Sequence, residues 1–113
     1  MKKDNLVYLE DILEHINSVE SFIGDVDSEN FAGDAKTRSA ALWNLGVIGK
    51  AATKLSKDFL RAHPELELQK AIGMRNQLIH GYKKIDLATV RETIVDDLPI
   101  LKKQIQIILK ELN

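Results

Sequence analysis

Apolar residues recur at steps of three and four along most of this chain, and this spacing constrains the fold more than any other feature. A helix turns once every 3.6 residues, so side chains at these steps share one face that can be buried. Strands need an alternation of period two, and neither that alternation nor an Asn-Gly hairpin turn occurs in the sequence. The first segment shows the helical spacing most clearly, through Leu6, Leu9, Ile12, Leu13, Ile16, Val19 and Ile23. The sequence therefore predicts an all-α protein that begins with an amphipathic helix.

The second predicted helix follows a turn-rich stretch, residues 24–33, that is expected to be a loop. Asp34 is a good N-cap, and His63-Pro64 ends the helix because the residue before a proline resists the α conformation. Gly46 and Gly49 lie inside this helix, and each costs roughly 1 kcal/mol of helix propensity relative to alanine. Small residues at such positions often let another helix approach closely, so we expect tight packing there.

Two more helices complete the predicted fold. The third runs from about Glu65 to His80, and Gly81 is a suitable residue to follow its end. Asp86 caps the fourth helix, which meets Pro99 and should kink or restart there. The sequence therefore predicts an antiparallel four-helix bundle with a kinked or split C-terminal helix, in a single domain that spans residues 1–113.

Charge and composition exclude several classes of protein. The net charge of the 113 residues is −1, so any nucleic acid would have to bind a local basic patch. The absence of cysteine excludes disulfides and thiolate metal sites, and the sequence contains no zinc pattern, phosphate loop or nucleophilic triad. No apolar run is long enough to span a bilayer and no signal peptide precedes the first helix, so we expect a cytoplasmic protein without a membrane partner.

The stretch 73–82, Gly-Met-Arg-Asn-Gln-Leu-Ile-His-Gly-Tyr, carries the residues best suited to chemistry. Arg75 can hold phosphate oxygens with its planar, charged guanidinium, and His80 can move a proton near neutral pH. Residues five apart lie about 140° apart around a straight helix, so these two side chains would not converge, whereas Asn76 and His80 would. Either Gly81 unwinds the last turn, or two copies of the motif face each other across a dimer axis. The alternative is that this stretch has no chemical function, with Arg75 in a surface ion pair and His80 as an ordinary histidine at a helix end.

Residues 72–82 resemble the Arg-x-x-x-x-His-x-Tyr motif of HEPN-domain proteins of the HepT type, the toxin halves of HepT/MntA toxin–antitoxin pairs. Residues 44–52 resemble the family's Asn-Leu-x-x-Ile-Gly-Glu-Ala helix, and residues 85–87 and 97–101 resemble its closing helix. Two positions depart from this pattern. Lys50 stands where the family usually has glutamate, which changes the charge beside the bundle, and Leu68 stands where it often has tryptophan, which alters packing.

The resemblance implies a HEPN-type bundle that forms a homodimer through its motif helices and cuts RNA, not DNA, without a metal or another cofactor. It implies that His80 is the general acid or base, that Arg75 holds the scissile phosphate and that Asn76 supports them. The implied partner is a minimal nucleotidyltransferase antitoxin, MntA-like, that can transfer AMP to Tyr82. An AMP group there would block the phosphate site by its volume and its charge.

Basic residues near the motif offer a weaker prediction of RNA binding. Lys50, Lys54, Lys57 and Arg61 fall on one face of the predicted second helix, and Lys83 and Lys84 adjoin the motif, although such a stripe is usually only a solvated face. The single tryptophan, Trp43, is expected to be buried or to lie in a dimer contact. Besides the endoribonuclease toxin, two functions stay open: a non-catalytic helical partner of a nucleotidyltransferase, and a purely structural dimer.

Overall fold

The computed structural model describes residues 3–24, 26–81 and 85–112, and every regular element within these ranges is helical. Four long helical segments form the bundle, and the last of them is split, as predicted. The third segment packs on the second, which also packs on the first. In chain order the elements are α1 (Lys3–Ile23), α2 (Ser28–Gly33), α3 (Ala35–Lys54), α4 (Lys57–Ala62), α5 (Gln69–His80), α6 (Leu87–Glu92), a π-helical turn (Thr93–Asp97) and α7 (Leu98–Glu111). The predicted all-α bundle is confirmed.

One hydrophobic core runs between α1, α3 and the C-terminal segment. Its side chains come from the predicted apolar stripes, because each stripe turns inward where helices meet. Among the described residues, the largest side chains that are fully buried include Leu9, Ile12, Ile16, Leu45, Ile48, Leu101 and Ile105. At the surface, Lys102 Nζ lies 2.8 Å from Glu20 Oε1 and links α7 to α1.

The prediction of a loop over residues 24–33 is wrong for its second half, where α2 forms. Asp27 caps this short helix by accepting a hydrogen bond from the Asn30 backbone N–H at 2.8 Å. Phe31 then places its ring in the core and is only 1% exposed. One buried aromatic residue and one cap therefore stabilise a helix too short to show a sequence period.

The prediction of one helix from Asp34 to His63 is also wrong, because α3 ends at Lys54 and α4 begins at Lys57. Ser56 caps α4 by accepting a hydrogen bond from the Phe59 backbone N–H at 3.1 Å. The buried side chain of Asn5 in α1 secures this break, since its amide donates to Ser56 Oγ and its carbonyl accepts from the Ser56 N–H, both at 3.0 Å.

Two carboxylates act as the predicted N-caps. Asp86 accepts from the Ala88 N–H at the start of α6. At the start of α3, Asp34 accepts from the Thr37 hydroxyl and from the backbone N–H groups of Thr37 and Lys36. The Thr37 side chain is the largest cause of a lowered pKa at the Asp34 carboxyl, and the two backbone N–H groups add to it.

Pro99 interrupts the C-terminal segment as predicted, and the interruption takes the form of a π-helical turn. The Leu98 N–H bonds to the Thr93 carbonyl, five residues back, instead of the carbonyl four residues back. In a regular α-helix the proline ring would clash with the carbonyl of Val95, and the wider turn relieves that clash.

The segment that leads into α5 is fastened to α7 by the side-chain amide of Gln104. Its Oε1 accepts from the Glu67 N–H at 3.0 Å, and its Nε2 donates to the Glu65 carbonyl at 2.7 Å. Lys70 Nζ and Asp97 Oδ1, which are 3.3 Å apart, add a second link near the start of α5. These contacts fix the helix that carries the predicted site.

Candidate active site

The motif helix α5 stays regular to its end at His80. The Gly81 N–H donates to the Gln77 carbonyl at 2.9 Å and closes the last turn. The first of the two expected arrangements, an unwound last turn that swings His80 towards Arg75, is therefore not observed. Within one chain the two side chains leave α5 about 140° apart.

Arg75 lies on the side of α5 that faces α3 and is partly buried. It lines a surface groove of about 680 Å³ between α1, α3 and α5. The apolar wall of this groove consists of Leu42, Trp43, Val47, Leu78 and Ile79. Of Arg75, Asn76 and His80, Arg75 is thus the one that the fold brings into a concave surface.

The groove is locally positive although the chain as a whole has a net charge of −1. Among the described residues that line it, Lys50, Lys54 and Arg75 are cationic and Asp11 is anionic. Lys54 Nζ lies 5.8 Å from the centroid of the Tyr8 ring, within the range of a cation–π contact. This excess of positive charge would attract an anionic group to the groove beside Arg75.

Asn76 and His80 lie together on another side of α5, and both are exposed. They are four residues apart, so their side chains are neighbours on the helix surface, as predicted. Neither of them lines the groove that contains Arg75. The fold thus separates the predicted site into Arg75 in the groove and Asn76 with His80 on the open face.

The predicted basic stripe is only partly continuous. Lys50 and Lys54 point into the groove, but Lys57 lies on α4, after the break at Ser56. Arg61 Nη1 lies 3.5 Å from Asp58 Oδ1 on the same short helix. Tyr82, Lys83 and Lys84 lie outside the described residues.

Trp43 is exposed over 70% of its surface, so the alternative of a buried tryptophan is wrong. It shares the outer face of α3 with Val47, Lys50 and Lys54, at successive steps of four, three and four. Ile79 on α5 extends this apolar surface and is 54% exposed. The spacing from Trp43 to Lys54 could have shown in the sequence that these residues share a face.

The described residues contain neither a cluster of metal ligands nor a helix that could span a membrane. Within residues 3–24, 26–81 and 85–112, no three His, Asp or Glu side chains gather in a way that could hold a metal ion. None of the helices in these same ranges combines the length and the hydropathy that crossing a membrane requires.

The chain matches the family model described as "Ribonuclease HepT-like" over residues 12–108. A match over that share of the chain defines its class, a helical ribonuclease domain. The chain belongs to the HepT-like ribonuclease family, which confirms the predicted resemblance and the predicted enzyme class.

Relatives of this chain carry corresponding names. It is 38% identical over 102 residues to "Probable ribonuclease HepT" of Thermococcus cleftensis, covering 90% of this chain and 93% of that protein. It is 35% identical over 112 residues to a protein of Methanocaldococcus jannaschii named as a candidate RNase, covering 99% of this chain and 97% of that protein. A protein of Caldanaerobacter subterraneus named as a candidate RNase is 32% identical over 104 residues, covering 92% of this chain and 93% of that protein. No solved structure matches the chain significantly.

Proposed function

We propose that this chain is a metal-independent endoribonuclease toxin that acts as a homodimer and is neutralised by a nucleotidyltransferase antitoxin. Its family and the names of its relatives support RNA as the substrate. The cationic groove beside Arg75 supports binding of a phosphate backbone. Since RNA and ATP are both present in the cytoplasm, we also propose a cytoplasmic location.

The proposed reaction uses the ribose 2′-hydroxyl as the nucleophile. His80 either accepts the proton of this hydroxyl as a general base or donates a proton to the leaving 5′-oxygen as a general acid, and water serves for the other proton transfer. The 2′-oxygen forms a bond to phosphorus while the bond from phosphorus to the 5′-oxygen breaks. Arg75 stabilises the charge on the phosphate oxygens, and Asn76 orients His80 or the phosphate. The products are a 2′,3′-cyclic phosphate and a free 5′-hydroxyl.

The regular end of α5 is the observation that best supports a dimer. Arg75 and His80 leave the helix about 140° apart, so one chain points them to different sides of α5. A two-fold axis beside α5 would let Arg75 of one protomer meet the partner's His80, and symmetry would create a second, equivalent site. Trp43 and Ile79 belong to the exposed apolar wall of the groove, and a partner that covers this wall would leave the cationic side, with Lys50 and Lys54, to the RNA. We therefore propose composite sites built from two protomers.

Lys50 and Lys54 would guide RNA along the groove towards Arg75. Both are exposed, which leaves their ammonium groups available to phosphate. Lys57 would contribute from α4, and Lys83 and Lys84 would contribute next to the motif. These lysines would contact the RNA backbone, and none of them would take part in sequence recognition.

Cleavage of a labelled RNA oligonucleotide by purified variants tests the catalytic part. His80→Ala and Arg75→Ala should each reduce cleavage about 100-fold or more while the helical circular dichroism is unchanged. His15→Ala is the matched control, because His15 lies on α1, does not line the groove, and has its Nδ1 2.8 Å from the Asp11 carbonyl oxygen. Mass spectrometry should find the cyclic phosphate, and a matched DNA should stay intact.

Two results would contradict the catalytic assignment. One is cleavage by His80→Ala at the wild-type rate. The other is a wild type that cuts no RNA but stimulates AMP transfer by the proposed nucleotidyltransferase partner, which would establish the non-catalytic partner role instead.

The regulatory part of the proposal concerns Tyr82. Incubation with the nucleotidyltransferase and ATP should add AMP to the Tyr82 hydroxyl and stop cleavage, because a bulky anion would then stand two residues from His80. Tyr82→Phe should cut RNA and escape neutralisation. Tyr8→Phe is the matched control, since the chain has two tyrosines, and it should still accept AMP. Added mass on another residue would rule out Tyr82 as the acceptor, and neutralisation of Tyr82→Phe without added mass would show that the partner acts by occlusion alone.

A further inference from the structure

Gly49 lies where α3 crosses α5 and faces the backbone of the motif helix. A Cβ atom built on Gly49 would stand 2.3 Å from Arg75 Cβ, 2.6 Å from the Ala71 carbonyl oxygen and 3.1 Å from Arg75 Cγ. Contacts of Cβ below 3.0 Å essentially never occur. The first two contacted atoms belong to the α5 backbone or are bonded directly to it, so neither can move away by a side-chain rotation. Only glycine permits this approach.

The other glycines in α3 and α5 do not have this role. A Cβ on Gly46 would meet Leu78 Cδ1 at 3.8 Å, an ordinary contact with the end of a flexible side chain. A Cβ on Gly73 would meet nothing within 4 Å among the described residues. The close approach is therefore a local property of Gly49, centred on the residue that the proposed reaction uses to hold phosphate.

The close approach of α3 to α5 fixes the position of the first atoms of the Arg75 side chain. Its Cβ and Cγ lie against the bare Cα of Gly49, inside the interface between α3 and α5, and its guanidinium continues towards the groove. A methyl group on residue 49 would need the 2.3 Å separation to widen to an ordinary 3.4 Å, so α5 would move by about 1 Å. A displacement of that size in a catalytic group can reduce a rate about 100-fold.

We infer that Gly49 is a positioning residue, which sets the depth and direction from which Arg75 enters the RNA groove. This inference rests on the proposed phosphate-holding role of Arg75. Gly49 contacts no substrate itself and acts only through the stem of Arg75 and the spacing of the two helices.

The test compares Gly49→Ala with Gly73→Ala, the same substitution on α5 at a position with open space. Gly73→Ala should leave cleavage unchanged. Gly49→Ala should lower kcat about 100-fold in molecules that circular dichroism shows to be folded, and should weaken binding of a 2′-O-methyl RNA, which cannot be cleaved. Equal cleavage by Gly49→Ala and Gly73→Ala, both folded, would overturn the inference.

A second pair of variants separates positioning from general packing. Alanine at position 75 keeps the Cβ atom, so in the Arg75→Ala background Gly49→Ala still meets the two closest obstructions, the Cβ atom of residue 75 and the Ala71 carbonyl oxygen. Its effect on the affinity for 2′-O-methyl RNA should nevertheless disappear there, because the guanidinium that it displaces is already absent. An equal loss of affinity in both backgrounds would overturn the inference. If Arg75→Ala itself cuts and binds RNA normally, the proposed function fails instead.

If Gly49→Ala does not fold, the wild type still provides a test. Arg75 packed against Gly49 should occupy a single χ1 rotamer, which NMR scalar couplings across its Cα–Cβ bond would report. Couplings averaged over several rotamers would show that Gly49 does not fix Arg75 and would overturn the inference.

Discussion

Replacing Trp43 by alanine should weaken the proposed dimer strongly. A tryptophan can bury up to about 250 Å², and with 70% of Trp43 exposed about 175 Å² is available to a partner. At about 25 cal/mol per Å², complete cover would contribute about 4 kcal/mol. If the interface covers half of that area, each Trp43 contributes about 2 kcal/mol and the two in a C2 dimer about 4 kcal/mol, or about 1000-fold in Kd.

Analytical ultracentrifugation over a dilution series measures this Kd for the wild type and for Trp43→Ala. Trp43 is the only tryptophan in the chain, so its fluorescence gives a second and independent measurement. Its emission should move to longer wavelength as the wild type dissociates and water reaches the indole. Both methods should return the same Kd.

Ile107→Ala is the matched control, because Ile107 is 58% exposed on α7 and does not line the groove. It should leave the dimer unchanged. The reasoning is refuted if Trp43→Ala dimerises as tightly as the wild type, or if the emission stays constant while the sedimenting mass halves.

Three further predictions concern metal, charge and pH. Cleavage should survive EDTA, since the proposed chemistry uses Arg75 and His80, and a loss of activity that Mg²⁺ restores would count against it. Lys50→Glu should weaken binding of single-stranded RNA and reduce the magnitude of the slope of log K against log salt by about 0.7. Lys103→Glu, on the exposed side of α7, should change neither. Equal slopes for Lys50→Glu and the wild type would show that Lys50 does not contact the RNA. Asp34→Ala should lower the free energy of unfolding at neutral pH. The pKa of Asp34 is lower in the folded than in the unfolded protein, so its contribution to stability is fully present above the unfolded pKa and is lost as the pH falls through the folded pKa. Urea titrations of the wild type and of Asp34→Ala should therefore give the same free energy of unfolding in acid. A difference in stability that stays constant with pH would contradict this explanation.

Features of the fold that depend on residues close together in the sequence were predictable. Asp34 and Asp86 cap helices through backbone groups two or three residues away, and Pro99 disturbs its own helix. The break at Ser56 depends instead on Asn5, which is 51 residues away in the chain, so no local pattern could show it. Phe31 stabilises α2 by reaching the core, which is again a non-local contact.

The candidate site shows the same division. The sequence is enough to select Arg75, Asn76 and His80, because their types and spacing carry the chemistry. It also shows that Gly46 and Gly49 favour close helix packing, but it cannot tell which of them meets α5. The distances distinguish the two glycines, since an added Cβ atom would lie 3.8 Å from its nearest neighbour at Gly46 but 2.3 Å from it at Gly49. Whether Arg75 and His80 meet across an axis depends on a second protomer.

Mixing two inactive variants tests that composite site most directly. Arg75→Ala and His80→Ala would be unfolded together, refolded and assayed for RNA cleavage, after native mass spectrometry has shown that mixed dimers form. A mixed dimer has one site with an intact Arg75 and the partner's intact His80, and one site with neither. Random pairing should therefore restore about a quarter of the wild-type rate, although each variant alone is inactive. Mixed dimers that form and remain inactive would contradict a site shared between protomers.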